Sequence, residues 1–196
     1  MNLIPIVFAI DKNVVMQCGV TITSLLMNAK VDTLYDIYIL CQQSQLAEEN
    51  KSVLLQAFAD EKQCKITFVD VGEAFKGSEG LAKGHITTAT YFRLAIPALF
   101  PLFDKAIYAD IDMIFQQDLS ELYQSSLPHE ELVAAVLDLA IDDKYYFMSE
   151  LPTRIGKSEK DYFNAGFLVM NLEQMRKADV QEELTRHAKI KYDMND

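Results

Sequence analysis

The feature that most constrains this chain is a series of short apolar runs alternating with stretches of helical length. Leu3–Ile10 is apolar throughout and stops at the carboxylate of Asp11. A run without polar alternation suits a strand covered on both faces, not one half in water. Val14–Ala29 has the length of a helix, and Tyr35–Cys41 is a second apolar run. Ser44 then opens a mixed pattern reaching Lys62, with Ser44 as the expected N-cap and Leu46, Val53, Leu54, Ala57 and Phe58 on the expected apolar face. Lys65–Val71 reads as a third strand. Such alternation of β and α specifies an α/β fold with a mainly parallel sheet between helices.

The rest of the chain continues the pattern less regularly. Gly72, Gly77, Gly80 and Gly84 mark a loop after the third strand, at the edge where parallel sheets bind ligands, so both an acceptor-binding lid and a solvated connector remain open for it. Thr87–Ala95 looks helical as far as Pro97, and Lys105–Ala109 is a fourth strand. Leu119–Tyr123 follows as a short helix, Leu132–Leu137 and Phe167–Met170 as strands, and Glu173–Tyr192 as one charged amphipathic helix. No repeat or linker divides residues 1–196, so a single domain is expected.

Charge excludes some partners. Lys plus Arg number 18 against 29 Asp plus Glu, for a formal charge of -11, which argues against nucleic acid or an anionic membrane surface. A phosphate-bearing ligand would need a local cation. Cys18, Cys41 and Cys64 are dispersed in apolar runs and suggest neither a disulfide framework nor a zinc site, which fits a reducing cytoplasm. No basic segment precedes the first apolar run, and no run approaches the length of a membrane span, so neither a signal peptide nor a transmembrane segment is expected.

Chemistry gathers at strand ends. Asp11 follows the first strand, Asp110 and Asp112 the fourth, and Asp138 the fifth. In an open α/β sheet those ends converge on one crevice. The strongest local signal is Ile107-Tyr108-Ala109-Asp110-Ile111-Asp112-Met113-Ile114-Phe115, two acids one residue apart in an apolar stretch. In extended backbone they would point the same way and repel each other unless a cation neutralised them. A hard divalent ion, Mg²⁺ or Mn²⁺, is the natural partner, with phosphate oxygens completing its shell. The bare Asp-x-Asp pattern is common, and turn chemistry explains a single strand-end Asp equally well. Other motifs fail on spacing: Gly156-Lys157-Ser158 lacks the earlier P-loop glycine, and His129-Glu130-Glu131 has Val133 where a zinc protease needs its second His.

Five segments in order resemble the retaining glycosyltransferases of family 8. They are Val7–Asn13, Gly19–Leu25, His85–Leu94, Tyr108–Asp112 and Tyr162–Leu172, the last containing Asn164-Ala165-Gly166. The resemblance implies the GT-A fold, a Rossmann-like sandwich, and transfer of glucose or galactose from a UDP-hexose to a hydroxyl of a glycan or glycolipid acceptor such as lipopolysaccharide, with Mn²⁺ or Mg²⁺ as cofactor. It implies that Ala9, Ile10, Asp11 and Asn13 hold the uridine. Asp110 and Asp112 would ligate the metal, and the Ile111 backbone would lie near the ribose. Arg93 would reach the donor, its alternative being a salt bridge to one of these acids. Asp138, Asn164 and Ala165 match positions around the transferred sugar, and His85 and Thr90 match acceptor- or donor-side positions.

By the same resemblance, Asp196 is the first acid of the family's Asp-Gln-Asp motif, with a catalytic position beside the anomeric carbon. Family members run on to a segment supplying a third metal ligand and a lysine. The resemblance therefore implies a catalytic domain without that C-terminal segment, and for a full-length protein an attachment at the inner membrane face. Val14 stands where the family often has an aromatic residue that stacks on the base. Two rival readings stay open: a UDP-sugar-binding module without turnover, and a haloacid-dehalogenase-like phosphatase, which also places Asp-x-Asp after an apolar strand.

Overall fold

A computed structural model describes residues 2–72, 88–128, 130–138 and 163–189. The strands are β1 (Asn2–Ala9), β2 (Thr33–Cys41), β3 (Cys64–Asp70), β4 (Lys105–Ala109), β5 (Val133–Leu137) and β6 (Phe163–Asn171). They form one sheet in the order β3-β2-β1-β4-β6-β5. β1 is parallel to both β2 and β4, β2 is parallel to β3, and β6 runs antiparallel between β4 and β5. The mainly parallel α/β sheet expected from the sequence is present, with one reversed strand inside it.

The unbroken apolar strands are explained by two cores, one on each side of the sheet. Ile4, Ile6, Phe8 and Ile10 face the first core together with Tyr35, Ile37 and Ile39, against Cys18, Ile22 and Leu25 of α1 (Val15–Met27) and Leu54 of α2 (Glu48–Ala57). Val7, Ala9, Leu40, Ala106 and Tyr108 face the second. There they meet α3 (Ala89–Phe92), a 3-10 turn (Arg93–Ala95), α4 (Ile96–Leu99) and α6 (Leu172–Lys177). In β1 and β4, period-two alternation thus sends neighbouring residues to opposite cores. α5 (Ser120–Gln124) and α7 (Val180–Lys189) complete the helices among the described residues. Cys18 and Cys41 are buried and all three cysteines are free thiols, as expected of core residues; burial pushes the Cys18 thiol up to about 12.

Several local expectations are corrected. Ser44 caps no helix: the chain turns at Gln42, whose carbonyl accepts from the Gln45 and Leu46 N–H groups at 2.9 and 3.1 Å, and α2 begins only at Glu48. Glu48 and Glu49 occupy its first turn, where the helix dipole favours acids. Leu54 is the buried residue of this helix, while Val53 is 55% exposed, so the expected apolar face was too wide. Pro97 does not end the helical stretch; it lies in the first turn of α4, where its missing N–H is not needed. The single C-terminal helix is two, divided where Asp179 takes φ 49°, a left-handed conformation that closes α6. β6 begins at Phe163, well before Phe167, since pairing to β4 and β5 carries Asn164, Ala165 and Gly166 into the sheet despite their weak strand preference. Gly77, Gly80 and Gly84 of the glycine-rich loop lie outside the described residues.

At the sheet edge away from the aspartate-bearing ends, one carboxylate ties three segments together. Asp118 accepts from the Lys30 N–H at 2.9 Å, the Tyr35 hydroxyl at 3.1 Å and the Ser120 N–H at 2.9 Å. The Tyr35 hydroxyl in turn accepts from the Leu119 N–H at 3.0 Å. Partial burial alone would raise the Asp118 carboxyl, but the hydrogen bonds from Ser120 and Lys30 outweigh it and bring it to about 2. Because this native value lies below that of the unfolded chain, the stabilisation is complete above pH about 4 and drains away as pH falls toward 2. Asp118→Ala is expected to cost about 1 kcal/mol at pH 7 after allowance for solvent screening. Urea unfolding of both proteins should show that gap narrowing steadily below pH about 4; a gap that stays constant with pH would assign the loss to packing instead.

Candidate functional site

The strand order reverses between β1 and β4, since β2 and β3 lie on one side of β1 and β4 on the other. Ligand crevices of open α/β sheets form outside the carboxyl ends at such a switch. Asp11 leaves β1 there and Asp110 leaves β4 there. β6 runs the other way, so its amino-terminal residues Asn164, Ala165 and Gly166 arrive at the same edge, beside the exit of β5 at Asp138. Sequence residues 11, 110, 112, 138 and 164–166 therefore share one rim of the sheet.

Asp110 is the centre of this rim. Its N–H donates to the Gly166 carbonyl at 2.7 Å, one bond beyond the last β4–β6 pair. Its Oδ1 accepts from the Tyr108 hydroxyl at 2.5 Å and from Arg93 Nη2 at 2.9 Å. Arg93 also donates through Nε to the Thr90 carbonyl at 2.8 Å and through Nη1 to the Ala165 carbonyl, and its guanidinium lies 4.6 Å from the centre of the Tyr108 ring. The Arg93 side chain is 11% exposed and that of Asp110 34%. Burial pushes the Asp110 carboxyl up, Arg93 and the Tyr108 hydroxyl pull it back, and the charge of Asp112 adds to the rise. Such a carboxylate pair, only partly neutralised by one arginine, is a place where a further cation is welcome.

The backbone between the acids differs from the extended form expected. β4 stops at Ala109, and Ile111-Asp112 form a turn. That turn is fastened to α1: the buried Thr21 hydroxyl lies 2.5 Å from the Ile111 carbonyl and 3.1 Å from that of Met113. Ser24 accepts from the Phe115 N–H at 2.9 Å, and the Asn28 amide donates to the Phe115 carbonyl at 3.0 Å. The polar residues that interrupt the apolar face of α1 thus hold the segment following the first acid.

The other candidates fall as follows. Asp11 forms a local turn, accepting the Asn13 N–H at 2.7 Å, and Asn13 itself is exposed. Ala9 and Ile10 are 8% and 0% exposed, so a ligand at this strand end would meet their backbone, not their side chains. Thr90 lies in α3 and orients Arg93 through its carbonyl. Asn164 Oδ1 accepts the Gly166 N–H at 2.8 Å. Asp138 is half-exposed at the end of β5. His85 and Asp196 lie outside the described residues.

Reading the sequence did not assign Gly166, Tyr108 or Thr21. A methyl group on Gly166 would stand 2.9 Å from both Asp110 Oδ2 and Asn164 Oδ1, so any side chain here would force them to move. Its φ is not positive, which excludes a conformational reason. The signal for Tyr108 was present in its spacing, two residues before Asp110 on one strand face.

A divalent cation fits this donor set in part. Asp110 and Asp112 offer hard oxygen donors, and Gly166 puts no side chain beside Asp110 Oδ2. Among the described residues no third His, Cys, Asp or Glu joins them in a metal-holding group.

The mixed α/β sheet is that of the GT-A glycosyltransferases, on whose solved structures the chain superposes. The chain belongs to glycosyltransferase family 8: the model of that family, Glycosyl transferase family 8, matches residues 5–195. It is 29% identical over 175 residues to a provisionally named glycosyltransferase of Haemophilus influenzae, covering 89% of this chain and 50% of that protein. To the lipopolysaccharide 1,3-galactosyltransferase of Salmonella typhimurium it is 25% identical over 169 residues, covering 85% and 48%. The solved structure of the galactosyltransferase LgtC with donor and acceptor sugar analogues superposes with a TM-score of 0.74 at 25% identity, covering 96% of this chain and 67% of that one. The chain spans about half the length of the curated relatives it matches. No helix among the described residues is long and apolar enough to cross a membrane.

Two substitutions test how the rim is built. Gly166→Ala should lose about 1–3 kcal/mol by overpacking against Asp110 and Asn164; chemical unfolding with no change would mean that both side chains can step aside. Thr21→Val keeps the volume but leaves two carbonyls without their donor, at about 1–3 kcal/mol, whereas Thr21→Ser should restore most of it. A loss in the Ser protein with none in the Val protein would point to the methyl group as the important part.

Proposed function

We propose that this chain carries the donor site of a retaining hexosyltransferase, which takes glucose or galactose from a UDP-hexose and passes it to a hydroxyl of a glycan or glycolipid. The observation that supports this most is the convergence of Asp11, Asp110, Asp112 and Asn164 on one rim at the β1/β4 switch of a family 8 sheet. The galactosyltransferase names among the relatives support a hexose donor.

In this reading the uracil sits at the end of β1, where Asp11 can accept its N3–H while the Asn13 N–H keeps one Asp11 oxygen oriented. Asp110 and Asp112 hold the cation, Mn²⁺ or Mg²⁺, which supplies Lewis-acid charge at the departing phosphate when bound. Arg93 adds a fixed positive charge beside Asp110. Its three directed hydrogen bonds keep it from needing to reorganise as charge develops on the leaving group. Asn164 and Asp138 flank the side toward β5, where an amide and a carboxylate can bind sugar hydroxyls and steady the oxocarbenium-like centre. Asp196 is kept as a further candidate beside the anomeric carbon, and His85 and Thr90 as candidates on the acceptor side. The acidic surface is consistent with a site that relies on a local cation to receive a diphosphate.

Asp112→Asn removes a ligand charge and almost no volume. It should abolish Mn²⁺-dependent UDP binding, measured by calorimetry, while leaving the melting temperature in metal-free buffer within about 2 °C. Undiminished UDP binding in the variant would remove Asp112 from the metal site. Incubation with UDP-glucose and UDP-galactose, following UDP release with and without Mn²⁺, separates the transferase from its rivals. UDP binding without release would select the binding module, and phosphate release from a simple phosphoester would select the phosphatase.

A further inference from the structure

Asp110 has two oxygens, and the structure treats them differently. Oδ1 accepts two hydrogen bonds, from the Tyr108 hydroxyl at 2.5 Å and from Arg93 Nη2 at 2.9 Å. A carboxylate oxygen has about two lone-pair positions, so Oδ1 is filled. Oδ2 instead accepts no hydrogen bond among the described residues, and a methyl on Gly166 would stand 2.9 Å from it. Neither donor on Oδ1 is free to leave. Tyr108 is 1% exposed, within β4, between Val7 of β1 and Leu168 of β6. Arg93 is anchored by two backbone carbonyls and lies against the Tyr108 ring.

We propose that the Tyr108 hydroxyl is a positioning group that makes Asp110 a one-oxygen ligand, offering only Oδ2, and so biases the site toward small six-coordinate divalent ions over Ca²⁺. The inference rests on the reading of Asp110 and Asp112 as cation ligands. Its physical basis is coordination preference. Ca²⁺ takes six to eight oxygens at longer distances and readily accepts both oxygens of one carboxylate, whereas Mg²⁺ demands near-octahedral geometry at short distances. A carboxylate whose second oxygen is committed to a tyrosine and an arginine cannot swing into the two-oxygen mode. Partners of this kind, one step removed from the metal, orient the ligand.

A purely structural role for Tyr108 makes a different prediction. If the hydroxyl only satisfied a buried polar group, its loss would lower stability and weaken all cations alike. Tyr108→Phe keeps the ring and therefore its packing and the Arg93 contact, and Arg93 still donates to Oδ1, so the variant should fold. The experiment titrates Mn²⁺, Mg²⁺ and Ca²⁺ into the full chain with UDP present, by calorimetry, for wild type and Tyr108→Phe, with thermal unfolding in metal-free buffer as the folding control. The expected result is an about tenfold weaker Mn²⁺ affinity in the variant, with Mg²⁺ following Mn²⁺ and Ca²⁺ affinity unchanged or tighter. The preference for Mn²⁺ over Ca²⁺ then falls by about tenfold or more.

An unchanged ratio of the two affinities would overturn the positioning role while leaving the metal site intact. Absence of any cation binding in the wild-type protein would overturn the metal reading itself, and this proposal with it. A crystal structure of the wild-type chain with Mn²⁺ and UDP gives a check that needs no variant. Asp110 bound through Oδ2 alone supports the assignment, and both of its oxygens on the ion contradict it.

Discussion

A carboxylate at the end of a strand buried on both faces must find compensation locally, and the way Asp110 finds it organises the rest of the rim. Water reaches only part of the side chain, and Asp112 adds a second negative charge nearby. One arginine and one phenol, both directed at the same oxygen, offset part of that cost. Arg93 in turn must be held, and its remaining donors go to the carbonyls of Thr90 and Ala165. The arginine therefore links a helical turn before β4 to the antiparallel strand after it. Removing its charge would leave Asp110 with the Tyr108 hydroxyl alone against burial and the nearby charge of Asp112.

The same arrangement explains the reversed strand. A parallel β6 would bring a carboxyl end to this rim, and with it another exit loop. Running antiparallel, β6 instead brings its first residues, which carry an amide side chain and a glycine, up against Asp110. The Asp110 N–H is satisfied by the Gly166 carbonyl, so the chain can leave β4 without an unpaired backbone donor at the edge of the core. Asn164 then folds back onto the Gly166 N–H. Close approach and hydrogen-bond closure are met by one short segment, with no need for a positive φ.

How much of this could be read from the residues depended on the range of the interaction. Leu3–Ile10 and Tyr35–Cys41 are found almost as marked, because strands near the middle of the sheet keep a mainly apolar sequence of strand length. The helix starts and stops were poorer. Ser44 has the right chemistry for a cap, yet Gln42 captures the turn first, and Asp179 ends α6 through its own backbone within a pattern that would continue as helix. Direction was not legible at all for Phe163–Asn171, since parallel and antiparallel pairing bury the same Leu168, Val169 and Met170. Within the site, strand-end position marked Asp11, Asp110 and Asp112 by logic that needs no contacts. The Arg93–Asp110 ion pair was only one of two alternatives, and Gly166 had no clear local signature because one of its two close contacts is with Asp110, 56 residues earlier in the chain.

Helix α1 shows why a site of this kind needs more than its ligands. Its inner face is apolar where it meets β1 and β2, but Thr21, Ser24 and Asn28 turn toward the segment 111–115 and take up its carbonyls and N–H. An apolar residue at position 21 would pack as well against the sheet and would leave the turn between the acids to fray into water. The hydroxyl instead fixes the Ile111 carbonyl from below while Tyr108 and Arg93 fix the Asp110 carboxylate from the opposite core. The turn is therefore clamped by side chains from both faces of the sheet, each presented by a regular element whose own position is set by burial. Two acids on a free loop would each pay the entropy of ordering when a ligand arrives, whereas here most of that ordering is already present in the fold.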